Sequence, residues 1–208
     1  KDIKDPLVYI YNTHQLENYS MQNLQIYNIK PNVMMASFIL REKLNDLGIP
    51  SIVEEGNFTE FLRINSWTHK DSYRVSKVYI EDAKTKNKSL KYFIDVHRDS
   101  VSKNQSTITI DNKIYAKVMF VVGLENPTYE PNLTLAKNIH NLIDKKYKGL
   151  SKGILTKKGA GVDGVYNQNM SPNMILIEVG GVDNTIEEVL NTVEVVADVL
   201  ATYIKGDK

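Results

Sequence analysis

The chain has no cysteine among its 208 residues. That excludes disulfides and thiolate zinc sites and leaves His, Asp and Glu as the side chains able to hold a metal. The absence also suits an extracytoplasmic protein, although many cytosolic chains share it. Histidine is scarce, with four in all, so the position of each can be weighed. Charge of either sign is not in excess: 26 Lys and Arg face 25 Asp and Glu, a formal charge of +1. No global field is present to recruit nucleic acid or an anionic membrane. Long apolar runs are missing too. The longest nearly unbroken one, residues 33–40, falls far short of the roughly 20 residues a spanning helix needs. Internal repeats, low-complexity tracts and linker-like stretches are also lacking. The chain starts at Lys1 rather than a methionine, so an upstream piece able to carry a signal or anchor is expected to have been removed.

What is present is 42% hydrophobic and 25% charged, the composition of an ordinary globular domain, and the expectation is one α/β domain over residues 1–208. Residues 7–11 (LVYIY) are a β-branched and aromatic run that breaks into Asn-Thr-His, as a buried strand entering a polar loop does. Pro31 and Asn32 open an apolar-periodic helix bearing Val33, Ala36, Ile39, Leu40 and Leu44 that stops at Gly48. Residues 49–53 read as a second strand and 71–83 as a second helix. Residues 90–96 (LKYFIDV) form another strand that ends in His-Arg-Asp-Ser, repeating the first pattern. Residues 107–110 and 114–122 flank Asp111-Asn112-Lys113 as a hairpin whose second arm is apolar enough to be central. A helix follows over 132–147, a glycine-rich loop over 159–164 and a last buried strand over 174–179 (MILIEV), closed by Gly180-Gly181. A final helix carries Val189, Val193, Val196, Leu200 and Ile204. Alternating strands and helices predict a mostly parallel, twisted sheet with helices on both faces. Ligands of such sheets sit outside the carboxyl ends of the strands.

His14, His97 and Glu178 fall at or just past three of those ends. A catalytic zinc commonly takes three protein ligands, such as two His and one Glu, and keeps a further position for water. A histidine is more often a surface or satisfied core residue than a ligand, and His140, in a helical stripe, and His69, in the lead-in to a helix, are read that way. His14 and His97 sit in polar strand-end segments, where a ligand role becomes an even match for the structural one. Glu17 follows His14 by three residues, a spacing a short turn can close on one ion, and with His97 it completes a His/Glu/His set. Asp95 and Asp99 compete as ligands but better suit an outer role, orienting a ligand imidazole through its other nitrogen. Glu42, Glu54 and Glu55 stay open as alternatives to Glu17.

Glu178 stands inside an apolar strand, where an unpaired carboxylate is expensive. Either it forms a structural ion pair with Arg98 or a lysine, or it is a general base that takes a proton from the attacking water and returns it to a leaving amine. Arg98 either polarises the scissile carbonyl or pairs with Asp99. Trp67, Tyr11 and Tyr19 either line a sugar or peptide groove or belong to the core.

Residues 9–19 (YIYNTHQLENY) resemble the YHTHxxESY opening of the stage II sporulation protein P family. Residues 94–100 (IDVHRDS) resemble its DxHRD segment, and residues 175–181 (ILIEVGG) its late xxEVG strand. The likeness runs from about residue 6 to residue 204, and its motifs are specific in this order and separation. Asn12 departs from the family, which often has histidine there. The resemblance implies a zinc N-acetylmuramoyl-L-alanine amidase fold, related to other cell-wall amidases and more distantly to metallocarboxypeptidases. It implies a hydrolase of the bond between muramic acid and the stem peptide of peptidoglycan, and of peptide cross-links as well. Such proteins act extracytoplasmically in forespore engulfment, anchored in the mother-cell membrane beside stage II sporulation proteins D and M. By the same resemblance His14 and His97 become zinc ligands and Glu178 the catalytic carboxylate. Glu17 as third ligand rests as much on its spacing. Two rivals stand beside this reading: a metallocarboxypeptidase-like peptidase, which needs a basic anchor for a free carboxylate, and a catalytically silent peptidoglycan-binding module.

Overall fold

Strand side chains alternate between two faces, and here the alternation divides the interior in two. In a computed structural model describing residues 3–206, strand β1 (Val8–Tyr11) sends Val8 and Ile10 into one buried cluster and Tyr9 and Tyr11 into another. Strand β3 (Tyr92–Asp99) repeats this with Ile94 and Val96 against Phe93, and β8 (Met174–Gly181) with Ile175, Ile177 and Val179 against Met174. Lys1, Asp2, Asp207 and Lys208 of the expected domain lie outside the described residues.

The first cluster also takes the buried stripes of α1 (Val33–Asp46), α5 (Glu130–Lys146) and α6 (Ile186–Gly206). The second takes Ile80 and Ala83 of α3 (Ser72–Lys86). Helices therefore cover both faces, as the sequence pattern predicts. Helix α1 starts where Asn32 Oδ1 accepts from the amides of Met34 and Met35, at 3.1 and 3.3 Å. It ends where Gly48, at φ 77°, lets the chain reverse. Helix α6 starts on a reciprocal pair in which Glu188 N donates to Thr185 Oγ1 and Thr185 N to Glu188 Oε2. Its predicted stripe, Val189, Val193, Val196, Leu200 and Ile204, is 3% exposed or less throughout.

Strand β2 (Ser51–Val53), β6 (Val118–Gly123) and β7 (Ser151–Lys157) complete a six-stranded sheet in the order β2-β1-β3-β8-β6-β7. Every neighbouring pair is parallel except β6 with β8. The connection leaving β1 runs through α1 on one face, and the one entering β3 runs through α3 on the other. The C-terminal ends of β1 and β3 thus border the point where the chain parts to opposite faces, which is where open α/β sheets leave a crevice.

Four features differ from the sequence pattern. The hairpin's second arm is two strands: β4 (Thr107–Ile110) pairs β5 (Lys113–Ala116) in a separate two-stranded sheet, and the chain enters β6 after Lys117. Lys117 turns its amide to Ser106 O at 2.7 Å and its carbonyl to Gly180 N at 2.8 Å, so it serves neither strand. Helix α2 (Phe58–Ile64) and the edge strand β7 lack a clear periodic signal. His97, Arg98 and Asp99 belong to β3 itself rather than to a loop beyond it.

Candidate metal centre

The residues after β1 turn once: Glu17 N donates to His14 O at 3.1 Å. That turn brings Glu17 Oε1 within 3.5 Å of His14 Nδ1. Across the crevice β3 presents His97, whose Nδ1 lies 3.4 Å from Glu17 Oε2. One donor atom from each of His14, Glu17 and His97 falls within 4.8 Å of the others. His97 is 2% exposed, whereas the side chains of His14 and Glu17 are 23% and 21% exposed and open the cluster to solvent.

Asp95 and His97 lie two residues apart on β3 and so share a face. Asp95 Oδ1 stands 2.9 Å from His97 Nε2. It also accepts from Thr13 N at 2.9 Å, while Oδ2 accepts from Thr13 Oγ1 at 2.7 Å. A buried carboxylate thus faces the imidazole nitrogen turned away from the cluster, the arrangement that orients metal-ligating histidines. Asp99 instead pairs with Lys152 at 3.1 Å. Of the other carboxylates weighed, Glu42 and Glu55 meet Arg41, and Glu54 accepts from Tyr9 Oη and Gly56 N.

The electrostatics match this layout. Burial pushes the Glu17 carboxyl up, but hydrogen bonds from His14, His97 and the Arg98 amide outweigh it and hold its pKa down to about 2. Burial disfavours charge on His97, yet Asp95 and Glu17 hold its pKa well above the usual imidazole value. Glu178 is the register partner of His97 on the adjacent parallel strand. Its Oε2 is buried with no hydrogen-bond partner among the described residues, and burial pushes its pKa up to about 7. This is a carboxylate able to gain and lose a proton near neutrality.

Zinc held at about 2.1 Å by tetrahedral ligands separates its donors by roughly 3.4 Å; Glu17 meets the two imidazoles at 3.5 and 3.4 Å through different oxygens, and one donor atom from each residue lies within 4.8 Å of the others, so a small inward shift of the side chains closes the set on one ion. The donors are hard oxygen and imidazole nitrogen, with no thiolate. The residues present therefore fit zinc.

Arg98 holds this loop from β3. Its amide donates to Glu17 Oε2 at 2.9 Å, Nε to Asn18 O at 2.7 Å and Nη1 to Asp99 O at 3.2 Å. Asn12 ties the end of β1 to β3 through Val96 O at 2.6 Å. Tyr11 and Tyr19 are core residues, 0% and 3% exposed. Trp67 stacks under Arg74, whose guanidinium carbon is 3.7 Å from the ring centroid. His140 bonds Ser151 Oγ at 2.8 Å, between α5 and β7. His69, read from sequence as a surface or satisfied core residue, is exposed and lies against His14, ring centroids 4.6 Å apart. Helical periodicity carries no trace of that contact, because it is tertiary.

A cleft of about 320 Å³ opens over the cluster, lined by Thr13, His14, Glu17, His69 and Arg98 and walled by Phe58 and Leu62 of α2. A larger cavity of about 870 Å³ lies at the β2 edge, and its lining contains no member of the cluster.

The model of the family described as Stage II sporulation protein P matches residues 1–201. The stage II sporulation protein P of Bacillus subtilis (strain 168) is 36% identical over 201 residues, covering 94% of this chain and 50% of the relative. The chain thus spans about half the length of the curated relative it matches. Among solved structures, Cwp6 from Clostridium difficile shares the fold at a TM-score of 0.54 and 14% identity, over 95% of this chain and 29% of that one. With the family model spanning nearly the whole chain and a relative above a third identical, the chain belongs to the stage II sporulation protein P family, a family of sporulation proteins.

Proposed function

We propose that the chain is a zinc-dependent hydrolase that cuts the amide between N-acetylmuramic acid and the L-alanine of the peptidoglycan stem peptide. The observation that carries this is the His14/Glu17/His97 donor set lying one strand from Glu178, whose Oε2 is buried with no hydrogen-bond partner among the described residues. When bound, zinc would polarise the amide carbonyl and acidify the attacking water. Glu178 accepts the proton of that water as the C–O bond forms, and delivers it to the alanine nitrogen as the C–N bond breaks. The products are a lactyl carboxylate on the sugar and a free amino terminus on the stem. Glu17 is held ionised for a cation by the Arg98 amide and the two imidazoles. Asp95 keeps the His97 ring turned so that Nδ1 faces Glu17. With Nε and Nη1 of Arg98 directed to main-chain carbonyls, Nη2 is the donor this residue offers to a substrate carbonyl.

The same engagement argues against a carboxypeptidase. Arg98 is the one Lys or Arg among the described residues lining the cleft, and with Nε and Nη1 on main-chain carbonyls it keeps Nη2 rather than the two-pronged fork that clamps a free carboxylate. Cleavage of peptide cross-links in addition would use the same centre on a second amide. Within this reading the enzyme works on the wall during engulfment at the mother-cell membrane, with stage II sporulation proteins D and M as partners. No helix among the described residues is long and apolar enough to cross a membrane. The test is digestion of purified sacculi by parent and His97→Ala protein, each with and without a chelator. Zinc-loaded parent alone should solubilise wall. Solubilisation by His97→Ala, or by chelated parent, would rule the metal mechanism out.

A further inference from the structure

We infer that His69 is a positioning residue of this centre, setting the plane of the His14 imidazole; the inference rests on the metal reading proposed above. The two proposed imidazole ligands are held very differently. His97 is 2% exposed and is backed by Asp95. His14 projects from a loop, with 23% of its side chain exposed, and among the described residues the carboxylate paired with its ring is Glu17 of the donor set itself.

What holds that ring is a box of aromatic neighbours. His97 meets it edge-on at 5.1 Å and 88°, and Tyr73 meets it edge-on at 5.6 Å and 70°. His69 alone lies face-on, at 4.6 Å and 21°. It closes the imidazole face that would otherwise open into the cleft both residues line.

His69 can serve because its backbone is pinned. Thr68 N and Oγ1 both reach Asp71 Oδ2, at 2.9 and 3.2 Å, and Asp71 N returns to Thr68 O at 2.8 Å. Ser72 Oγ then donates to His69 O at 2.6 Å. The start of α3 thus fixes His69, an exposed residue, at one height above the ligand loop. His69 is not part of the donor group, so its action passes through His14.

The experiment compares parent, His69→Ala and His69→Phe. It measures zinc affinity by competition with a chromophoric chelator, the melting temperature of the metal-free forms, and kcat and KM on a soluble muramoyl peptide. Groups that orient ligands are worth about 10–100-fold in metal affinity. His69→Ala should therefore bind zinc about tenfold more weakly, lose kcat with little change in KM, and melt metal-free as the parent does. His69→Phe, which keeps a flat face over His14, should regain most of the affinity. Parent-like zinc affinity in His69→Ala overturns the inference. So does a His69→Phe that binds zinc normally but stays inactive, since the imidazole would then act chemically. A fall in metal-free melting temperature that accounts for the loss overturns it too. A parent that fails to bind zinc sinks the metal reading itself, a result distinguishable from these.

Discussion

Glu178 sits among Ile177, Val179 and Leu176 on a buried strand, and its raised pKa of about 7 has opposite consequences for activity and for stability. As the proposed base it must be ionised, so kcat/KM should rise with pH along a limb whose midpoint lies at or below about 7, because a bound cation adds a field that favours the carboxylate. Glu178→Gln should retain zinc and lose about 10²–10⁴-fold in kcat. Metal analysis beside a pH–rate profile checks both. For stability the sign reverses. The metal-free folded state binds this proton more tightly than the unfolded chain, whose carboxyl titrates near 4.5. Below that pH the group is neutral in both states, and its burial is harmless. Stability falls as pH rises from about 4.5 to about 7, and above that the full penalty persists, on the order of 3 kcal/mol. Metal-free Glu178→Gln should therefore melt higher than the parent at pH 8 and with it at pH 4. Asp95→Asn should weaken zinc binding by about 10–100-fold, since the carboxylate behind His97 would be gone; chelator competition reads this directly.

The site was partly legible at this scale. His14, His97 and Glu178 betray themselves as polar residues at the ends of apolar runs, and the turn from His14 to Glu17 shows in their spacing. Asp95 and Asp99 read alike in sequence, and only the face each takes on β3 sets Asp95 behind His97 and Asp99 against Lys152; His69 leaves no trace, because it reaches the site across a helix start.

Among the elements, the long apolar strands and amphipathic helices were legible because their periods of two and 3.6 residues are strong. Strand β7 was not, being an edge strand of mixed polarity (SKGILTK) with Gly153 at φ 94° in its middle. The strand pair β5 and β6 read as one arm because nothing in the composition marks Lys117 as a break. In the proposed mechanism the end of β8 matters most, because that strand carries Glu178. Gly180 has φ 69°, and a Cβ there would come within 2.9 Å of both Asn184 Oδ1 and Ala116 Cβ. Asn184 Oδ1 accepts from Gly181 N at 2.7 Å, and Tyr19 Oη donates to Val179 O at 2.9 Å. The Tyr19 bond ties the strand that carries Glu178 to the loop that carries Glu17, and Gly180 lets the strand end turn tightly beside it. Gly180→Ala should destabilise by roughly 1–3 kcal/mol and depress kcat beyond what the fraction folded explains, as denaturant titration beside kinetics would show.

For the whole molecule, the parting of the β1 and β3 connections to opposite faces brings two motifs more than 80 residues apart in sequence to one crevice. The antiparallel junction of β6 with β8 leaves Glu178 between a parallel and an antiparallel neighbour. The α/β class follows from pattern alone, and so does the placing of His14, His97 and Glu178, the candidate site, toward the strand ends. The strand order does not, since it is decided by pairings far apart in the chain. Nor does the bond cut follow from the fold, since a likeness at 14% identity carries architecture only. The most direct measurement is mass spectrometry of the products released from purified sacculi by the zinc-loaded protein. The account predicts stem peptides with free L-alanine amino termini alongside glycan chains stripped of peptide. Products in which every stem remains attached to muramic acid, or no release at all, would contradict it.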